Sequence, residues 1–193
     1  GILVNLCAGI FILPFFLFSA TAGQIADKFE KSRLIRFTKL LEIGIMVLAG
    51  FAFALESLAL MLGCLFLMGS QSSLFGPVKY AILPQHLRED ELIGGNAVVE
   101  AGTFLAILIG TLAGGVLISL GQGIVWVSLA VLLLALLGYL ASRGIPLAPA
   151  ASPGLRINWN PLTETWRNFQ FTRGNRTVFL SILGVSWFWF YGA

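Results

Sequence analysis

The most regular feature of the chain is an alternation of long apolar stretches with short charged segments. The first three apolar stretches are residues 1–26, 37–55 and 57–78. A helix needs about 20 apolar residues to cross a bilayer core roughly 30 Å thick. The pattern therefore predicts three membrane-spanning helices, the second and third joined by a very tight turn at Glu56 and Ser57.

A longer stretch, residues 101–142, has no charged residue at all. At about 1.5 Å per residue, one helix of this length would be about twice as long as the bilayer is thick. The turn residues 121–123 mark where it folds back into a fourth and a fifth span. A sixth span, residues 177–193, carries aromatic side chains that indicate an interface or a substrate-facing wall. These are Trp187, Trp189 and Tyr191.

Charged residues fill the segments 27–36, 79–100 and 143–176, and all 12 Lys and Arg lie there or within one helical turn. Alternating spans place these segments on one side of the membrane, which the positive-inside rule makes cytoplasmic. We therefore expect an all-α, multi-pass inner-membrane protein. Residues 1–142 would form five spans, 143–176 a cytoplasmic linker, and 177–193 the start of a further span. Both ends interrupt apolar sequence, so we expect a piece of a longer chain.

Composition supports this class: 58% of the residues are hydrophobic and 11% are charged, against about 25% charged in soluble domains. A net charge of +3 gives no indication of a nucleic-acid partner. Cys7 and Cys64 lie inside apolar runs, where cysteine usually behaves as a small hydrophobe, so we expect neither a disulfide nor a metal site. Within the linker, prolines precede a short amphipathic stretch, residues 162–171, whose Trp166 and Phe169 we expect to face lipid at the membrane surface.

The segment 23–33 reads Gly-Gln-Ile-Ala-Asp-Lys-Phe-Glu-Lys-Ser-Arg. It resembles the loop signature of the major facilitator superfamily, and it falls between two spans on the predicted cytoplasmic side. The resemblance implies a loop that holds one conformation of a carrier through Gly23, Asp27, Lys28 and Arg33. Glycine permits close helix approach, and an aspartate can pair with a cation or a helix N-terminus. Glu30 and Ser32 depart from the family pattern, which has Gly and a basic residue there. A plain cytoplasmic loop is the alternative.

Segments 75–84 (Phe-Gly-Pro-Val-Lys-Tyr-Ala-Ile-Leu-Pro) and 95–102 (Gly-Asn-Ala-Val-Val-Glu-Ala-Gly) resemble the bacterial lysophospholipid transporter branch of that superfamily. They are most similar to the transporter portion found fused to an acyltransferase and an acyl-carrier-protein synthetase. The resemblance implies a helical bundle, present here from its second to part of its seventh helix. It also implies movement of lysophospholipids from the outer to the inner leaflet for re-acylation, with a downstream or fused acyltransferase as a partner.

Three polar residues at membrane depth or at its boundary are candidates for the lipid headgroup: Gln71, Lys79 and Glu100. Ionisable groups at such positions are functional candidates by default. The alternatives are a lysine that extends to the interface and a glutamate favoured by its helix dipole. The polar run 70–73 either lines a cavity or joins helices, and we expect a cavity. Lys39 and Glu42 have the spacing of an ordinary helical ion pair.

Gly110 and Gly114 have the four-residue spacing at which membrane helices touch. We find no nucleophile with a base, no metal-ligand cluster and no nucleotide loop, so no catalytic residue, metal or cofactor is predicted. His86, the single histidine, has no aspartate five residues on, which is the spacing of the His and Asp used by glycerolipid acyltransferases. Two other functions stay open: a facilitator that exports drugs or other small solutes, and a membrane enzyme or its anchor domain.

Overall fold

The computed structural model describes residues 1–192, with the side chain at position 189 outside the description. The described chain is a bundle of helices joined by short turns and one long linker. The helices are α1 (Ile2–Lys28), α2 (Lys31–Ala54), α3 (Leu58–Ala81), α4 (Leu83–His86), α5 (Leu92–Ser119), α6 (Gly123–Ser142), α7 (Pro161–Arg173) and α8 (Arg176–Gly192), with one turn of 3-10 helix at Glu89–Glu91.

Five described helices, α1, α2, α3, α5 and α6, are long and apolar enough to cross a membrane. The apolar part of α8, Arg176–Phe188, is shorter. These helices coincide with the stretches that the hydropathy pattern predicts, so the protein is an all-α, multi-pass membrane protein. The predicted end of the sixth span, Ala193, and the predicted role of the Trp189 side chain lie outside what the structure describes.

The charged segments are shorter than predicted, because helices extend into them. Only Phe29 and Glu30 separate α1 from α2, although the sequence predicted a loop over residues 27–36. Glu30 starts α2 by accepting hydrogen bonds from the N–H groups of Ser32 and Arg33, at 2.9 Å each. A side-chain acceptor at this position satisfies the free N–H groups of the first turn. The predicted 79–100 loop is likewise mostly helical.

The turn between α5 and α6 lies where the glycines predict it. Gln122 there has φ 63°, a left-handed conformation. At the other tight turn Glu56 has φ 50°, and Ser57 starts α3 by accepting a hydrogen bond from the N–H of Leu60 at 3.5 Å. Both turns are short enough to make their helices adjacent and antiparallel.

The core of the bundle is α3 packed between α1 and α2, with α6 on the far side of α2. Helices α1 and α3 approach each other closely at Gly69, where a Cβ atom would overlap the carbonyl oxygen of Phe11 and lie 3.1 Å from Cγ of Pro14. By contrast α5 contacts α6, α4 and the 3-10 turn, and none of its residues is buried within the described chain. Most of the surface of α5 therefore faces outward.

The linker leads to α7, a helix over the stretch that the sequence predicted to be amphipathic. Its residues follow α1, and α7 contacts that helix, so that Pro161, Trp166 and Phe169 line a cavity together with Phe16 and Leu17 near the middle of α1. Leu17 is 11 residues from Lys28, which is roughly 16 Å along the helix axis. Helix α7 therefore packs on α1 while Trp166 and Phe169 stay 60% and 40% exposed, and their contact with lipid stays a prediction.

Candidate functional site

Lys79 and Glu100 lie in one polar cluster between α3 and α5. The Lys79 ammonium donates a hydrogen bond to the Thr103 hydroxyl at 3.2 Å and lies 4.8 Å from the centre of the Tyr80 ring. The Tyr80 hydroxyl donates to the Glu100 carboxylate. We call Lys79, Tyr80, Glu100 and Thr103 the α3–α5 cluster. It connects α5, otherwise little packed, to the core of the bundle.

The α3–α5 cluster presents a cation and a carboxylate that are not joined to each other by an ion pair in the described chain. The Lys79 ammonium has three N–H donors. In the described contacts it donates one hydrogen bond and lies over the face of an aromatic ring. Both charged residues are half-buried. The cluster therefore contains one positive and one negative group, both partly accessible.

Sequence reasoning identified Lys79 and Glu100 but missed Tyr80 and Thr103. Thr103 is three residues after Glu100, so both lie on the same face of α5. That spacing was a signal that could have been used. Tyr80 follows Lys79 directly, and its exposed fraction of 36% is consistent with the polar tip of an interfacial tyrosine.

Gln71, the third headgroup candidate, joins helices. It is 5% exposed, and its amide donates to the Thr38 carbonyl and to the Glu42 carboxylate, at 3.3 Å each. Glu42 also accepts from Lys39 at 2.7 Å, as the helical spacing predicted. Gln71 therefore connects α3 to an ion pair of α2, and of its neighbours it is Ser70 that lines a cavity. The expectation that the whole 70–73 run faces a cavity was wrong.

Two neighbouring cavities, about 470 and 420 Å³ in volume, lie between α1 and the segment that starts α7. They share Leu17 and Pro161, and most of their lining is apolar. Thr21 and Ser70 are polar residues of the second cavity. Lys79, Glu100 and Gln71 are not part of the lining of either. The apolar cavities and the α3–α5 cluster are thus separate features of the molecule.

The 23–33 segment contacts the linker through atoms other than the side chains that the family signature specifies. Asp27 is exposed, and its backbone carbonyl accepts from the N–H of Ser152 at 2.8 Å. A Cβ atom added at Gly23 would have open space, so no close helix contact within the described chain requires a glycine there. Lys28 lies 5.9 Å from the ring of Phe29. Arg33 reaches Glu30 at 3.7 Å.

The pKa of the Glu30 carboxyl group is shifted by its surroundings in this segment. Burial alone would raise the pKa of its carboxyl group, but hydrogen bonds from the N–H groups of Ala148, Ser32 and Arg33 lower that pKa from 4.5 to about 2. The N–H of Ala148 lies 2.9 Å from Oε1. This residue departs from the family signature, and it forms one of the contacts that join the segment to the linker.

The glycine pair Gly110 and Gly114 has open space on α5 within the described chain, so the predicted helix contact is not formed there. Gly69 of α3 makes the close contact instead. Among the described residues, no group of three or more His, Cys, Asp or Glu is placed to hold a metal ion. Cys7 and Cys64 are both free thiols.

Comparison with known proteins identifies the family of this chain. The family model for the Major Facilitator Superfamily matches residues 1–193. Three similar proteins are each called "Lysophospholipid transporter LplT": that of Enterobacter sp. (strain 638) is 32% identical over 186 residues, that of Klebsiella pneumoniae (strain 342) 32% over 189, and that of Escherichia fergusonii 34% over 191.

These alignments cover 93% of this chain and 44% of each relative, so the chain spans a little under half the length of the curated relatives it matches. No solved structure matches. The match of the family model over the whole chain agrees with the spans that the structure describes. The chain belongs to the Major Facilitator Superfamily.

Proposed function

We propose that the protein to which this chain belongs moves lysophospholipids across the bacterial inner membrane, from the outer to the inner leaflet, for re-acylation. The observation that carries the proposal is the similarity to lysophospholipid transporters at 32% to 34% identity over 93% of the chain. An acyltransferase, fused or separate, is the class of enzyme that would consume the product. No cofactor or catalytic residue is needed for this transport step.

The α3–α5 cluster supplies chemistry that fits such a substrate. A lysophospholipid headgroup carries a phosphate, and the ethanolamine type also carries an ammonium group. Lys79 can bind the phosphate, and Glu100 can bind the ammonium, with Tyr80 and Thr103 as hydroxyl partners. Gln71 is proposed to act indirectly, because it is buried between α2 and α3 and can only fix the helix that carries Lys79.

The proposed mechanism is alternating access, in which the half formed by residues 1–142 rocks against a second half that starts after the 143–176 linker. The headgroup would follow a polar path past the α3–α5 cluster. The acyl chain would stay in lipid or in an apolar groove such as the cavities beside α1. Gly23, Asp27, Lys28 and Arg33 would hold one conformation of the carrier, and Gly110 and Gly114 would contact a helix beyond the described residues.

Uptake of labelled lysophospholipid by cells that express the full-length protein tests this proposal. Replacement of Lys79 by Ala removes a charge-assisted contact, so uptake at low substrate concentration should fall about 10-fold or more. Glu100→Gln should impair uptake of the ethanolamine type more than that of the glycerol type, because only the former carries an ammonium group.

The matched control is Arg156→Ala, which removes one exposed cation of the linker and should leave uptake unchanged. Normal uptake by Lys79→Ala at equal expression would exclude the headgroup role of the cluster. Competition by unlabelled drugs or small solutes, with no competition by lysophospholipid, would instead support the exporter.

A further inference from the structure

We propose that residues 148–158 of the linker form a strap, bound to the ends of α1 and α2, that fixes the position of α7. Gln24 and Glu30 are the positioning residues that hold it. Both lie inside the 23–33 segment, at positions other than the four that the signature assigns. The proposal concerns the linker as a conformational device and does not depend on the identity of the substrate.

The first attachment is at Ala148 and Pro149. The Ala148 N–H donates to Glu30 at 2.9 Å, and its carbonyl accepts from the Lys31 N–H at 2.9 Å. The Pro149 carbonyl accepts from the Lys31 ammonium at 3.2 Å and from the Gln85 amide at 3.0 Å. Lys31 is 1% exposed, so the strap carbonyl provides a partner that a buried ammonium requires.

Apolar packing reinforces this attachment. The Ala148 side chain is fully buried among Ala26, Ile35, Val78 and Ile82, which come from α1, α2 and the end of α3. The strap therefore joins three helices at one point. Arg36 adds a contact just before it, since its guanidinium donates to the Ile145 carbonyl at 3.1 Å.

The second attachment is at Asn158, ten residues further along. Its N–H donates to the Gln24 side-chain oxygen at 2.8 Å, and its carbonyl accepts from the Gln24 amide nitrogen at 3.2 Å. The Gln24 side chain thus pairs with the backbone N–H and carbonyl of one residue, as a neighbouring strand would. Gln24 is buried, so this pair is shielded from competing water.

The side chain of Asn158 connects the strap to α7. Its side-chain amide donates to the Thr163 hydroxyl at 2.9 Å and to the Glu164 carboxylate at 3.2 Å. Glu164 is 1% exposed and also accepts from Arg167 at 2.6 Å. The first turn of α7 is therefore placed by the residue that Gln24 holds. For α7 to move relative to α1, the bonds of Gln24 must break.

Two measurements on the full-length protein in lipid bilayers test the strap without any substrate. The first is amide hydrogen exchange of the peptide that covers residues 148–158. Gln24→Met keeps the size of the side chain and removes both bonds to Asn158. A typical hydrogen bond changes an equilibrium about 2- to 13-fold, so exchange should accelerate at least about 5-fold. Gln170→Met, the same change at an exposed position of α7, should have no effect.

Variants of Glu30 distinguish its contact with the strap from its role at the start of α2. Glu30→Asp keeps a carboxylate that accepts from the first turn of the helix, but its shorter side chain loses the reach to Ala148. It should therefore accelerate exchange in the strap and leave α2 protected. Glu30→Gln keeps the original length and one acceptor oxygen but loses the charge, so it should protect the strap better than Glu30→Asp and less well than the unsubstituted protein. A role limited to starting α2 would not produce this difference.

The second measurement is the distance between spin labels at Ile12 of α1 and Asn168 of α7, in a background without other cysteines. A bound strap gives one narrow distance distribution, and Gln24→Met should broaden or shift it. Unchanged exchange and an unchanged distance in Gln24→Met and Glu30→Asp would overturn the proposal, as would an unprotected strap in the unsubstituted protein. A failure to transport lysophospholipid affects neither readout.

Discussion

The contact between α1 and α3 at Gly69 gives a direct test of the packing of the bundle. Replacement of Gly69 by Ala adds a Cβ atom that would overlap the Phe11 carbonyl oxygen and lie 3.1 Å from both the Phe11 carbonyl carbon and Cγ of Pro14. Two of these atoms belong to the backbone of α1, and the third belongs to a rigid ring. None of them can rotate away, so the two helices must separate.

The expected cost follows from this geometry. Overpacking of a close contact costs about 1–3 kcal/mol. Gly→Ala within a helix also stabilises by about 0.5–1 kcal/mol, which partly hides that cost. Gly63→Ala is the matched control, since it lies on the same helix with no atom within 4 Å of the added Cβ. The helix term is common to both variants, so Gly69→Ala should be less stable than Gly63→Ala by about 1–3 kcal/mol.

The measurement is the free energy of unfolding of the full-length protein in mixed micelles, followed by helix content during titration with a denaturing detergent. Equal stability of Gly69→Ala and Gly63→Ala would show that α1 and α3 do not meet at Gly69, and the arrangement of the core would then be wrong.

Two further predictions concern Glu30 and Gln71. The pKa of Glu30 is lowered from 4.5 to about 2, so its contribution to the start of α2 and to strap binding is present above about pH 4.5. That contribution, about 1–2 kcal/mol after solvent screening, should be lost as the pH falls towards 2, and strap exchange corrected for intrinsic rates should show this loss. Glu30→Gln should abolish this pH dependence, and its persistence there would assign it to another group. Gln71→Met removes two bonds between α2 and α3 and should lower the free energy of unfolding by about 1–3 kcal/mol, whereas Ser72→Ala on the half-buried neighbour should change it by less than about 1 kcal/mol.

The hydropathy pattern predicted which segments cross the membrane, because the need to bury apolar residues acts along the whole span. It misjudged where helices begin, since charged residues such as Lys31 continue a helix once Glu30 has capped its first turn. The capping residue Glu30 is visible in the sequence, but the charged run around it was interpreted as a loop. The contact between α7 and α1 was not predicted for a different reason: an apolar stripe along a helix shows that it needs an apolar partner, but not which neighbouring helix or lipid supplies it.

The candidate site was predicted in part. Lys79 and Glu100 are conspicuous because charge is costly near a membrane, and the structure describes both in one cluster. Gln71 was placed at a cavity because a polar residue in a span needs a partner, and its partners on α2 could not be inferred without the helix packing. The contact between Glu30 and Ala148 joins residues 118 positions apart, so no local pattern could indicate it.

The strap has a consequence for how the linker can change in sequence. At its main attachments the strap contributes backbone atoms: the N–H of Ala148, the carbonyl of Pro149, and the N–H and carbonyl of Asn158. Most substitutions leave such atoms in place, whereas insertion or deletion of one residue between positions 149 and 158 would move one attachment out of register with the other. Related proteins that keep this arrangement should therefore vary freely in the residues of the segment but hold its length constant.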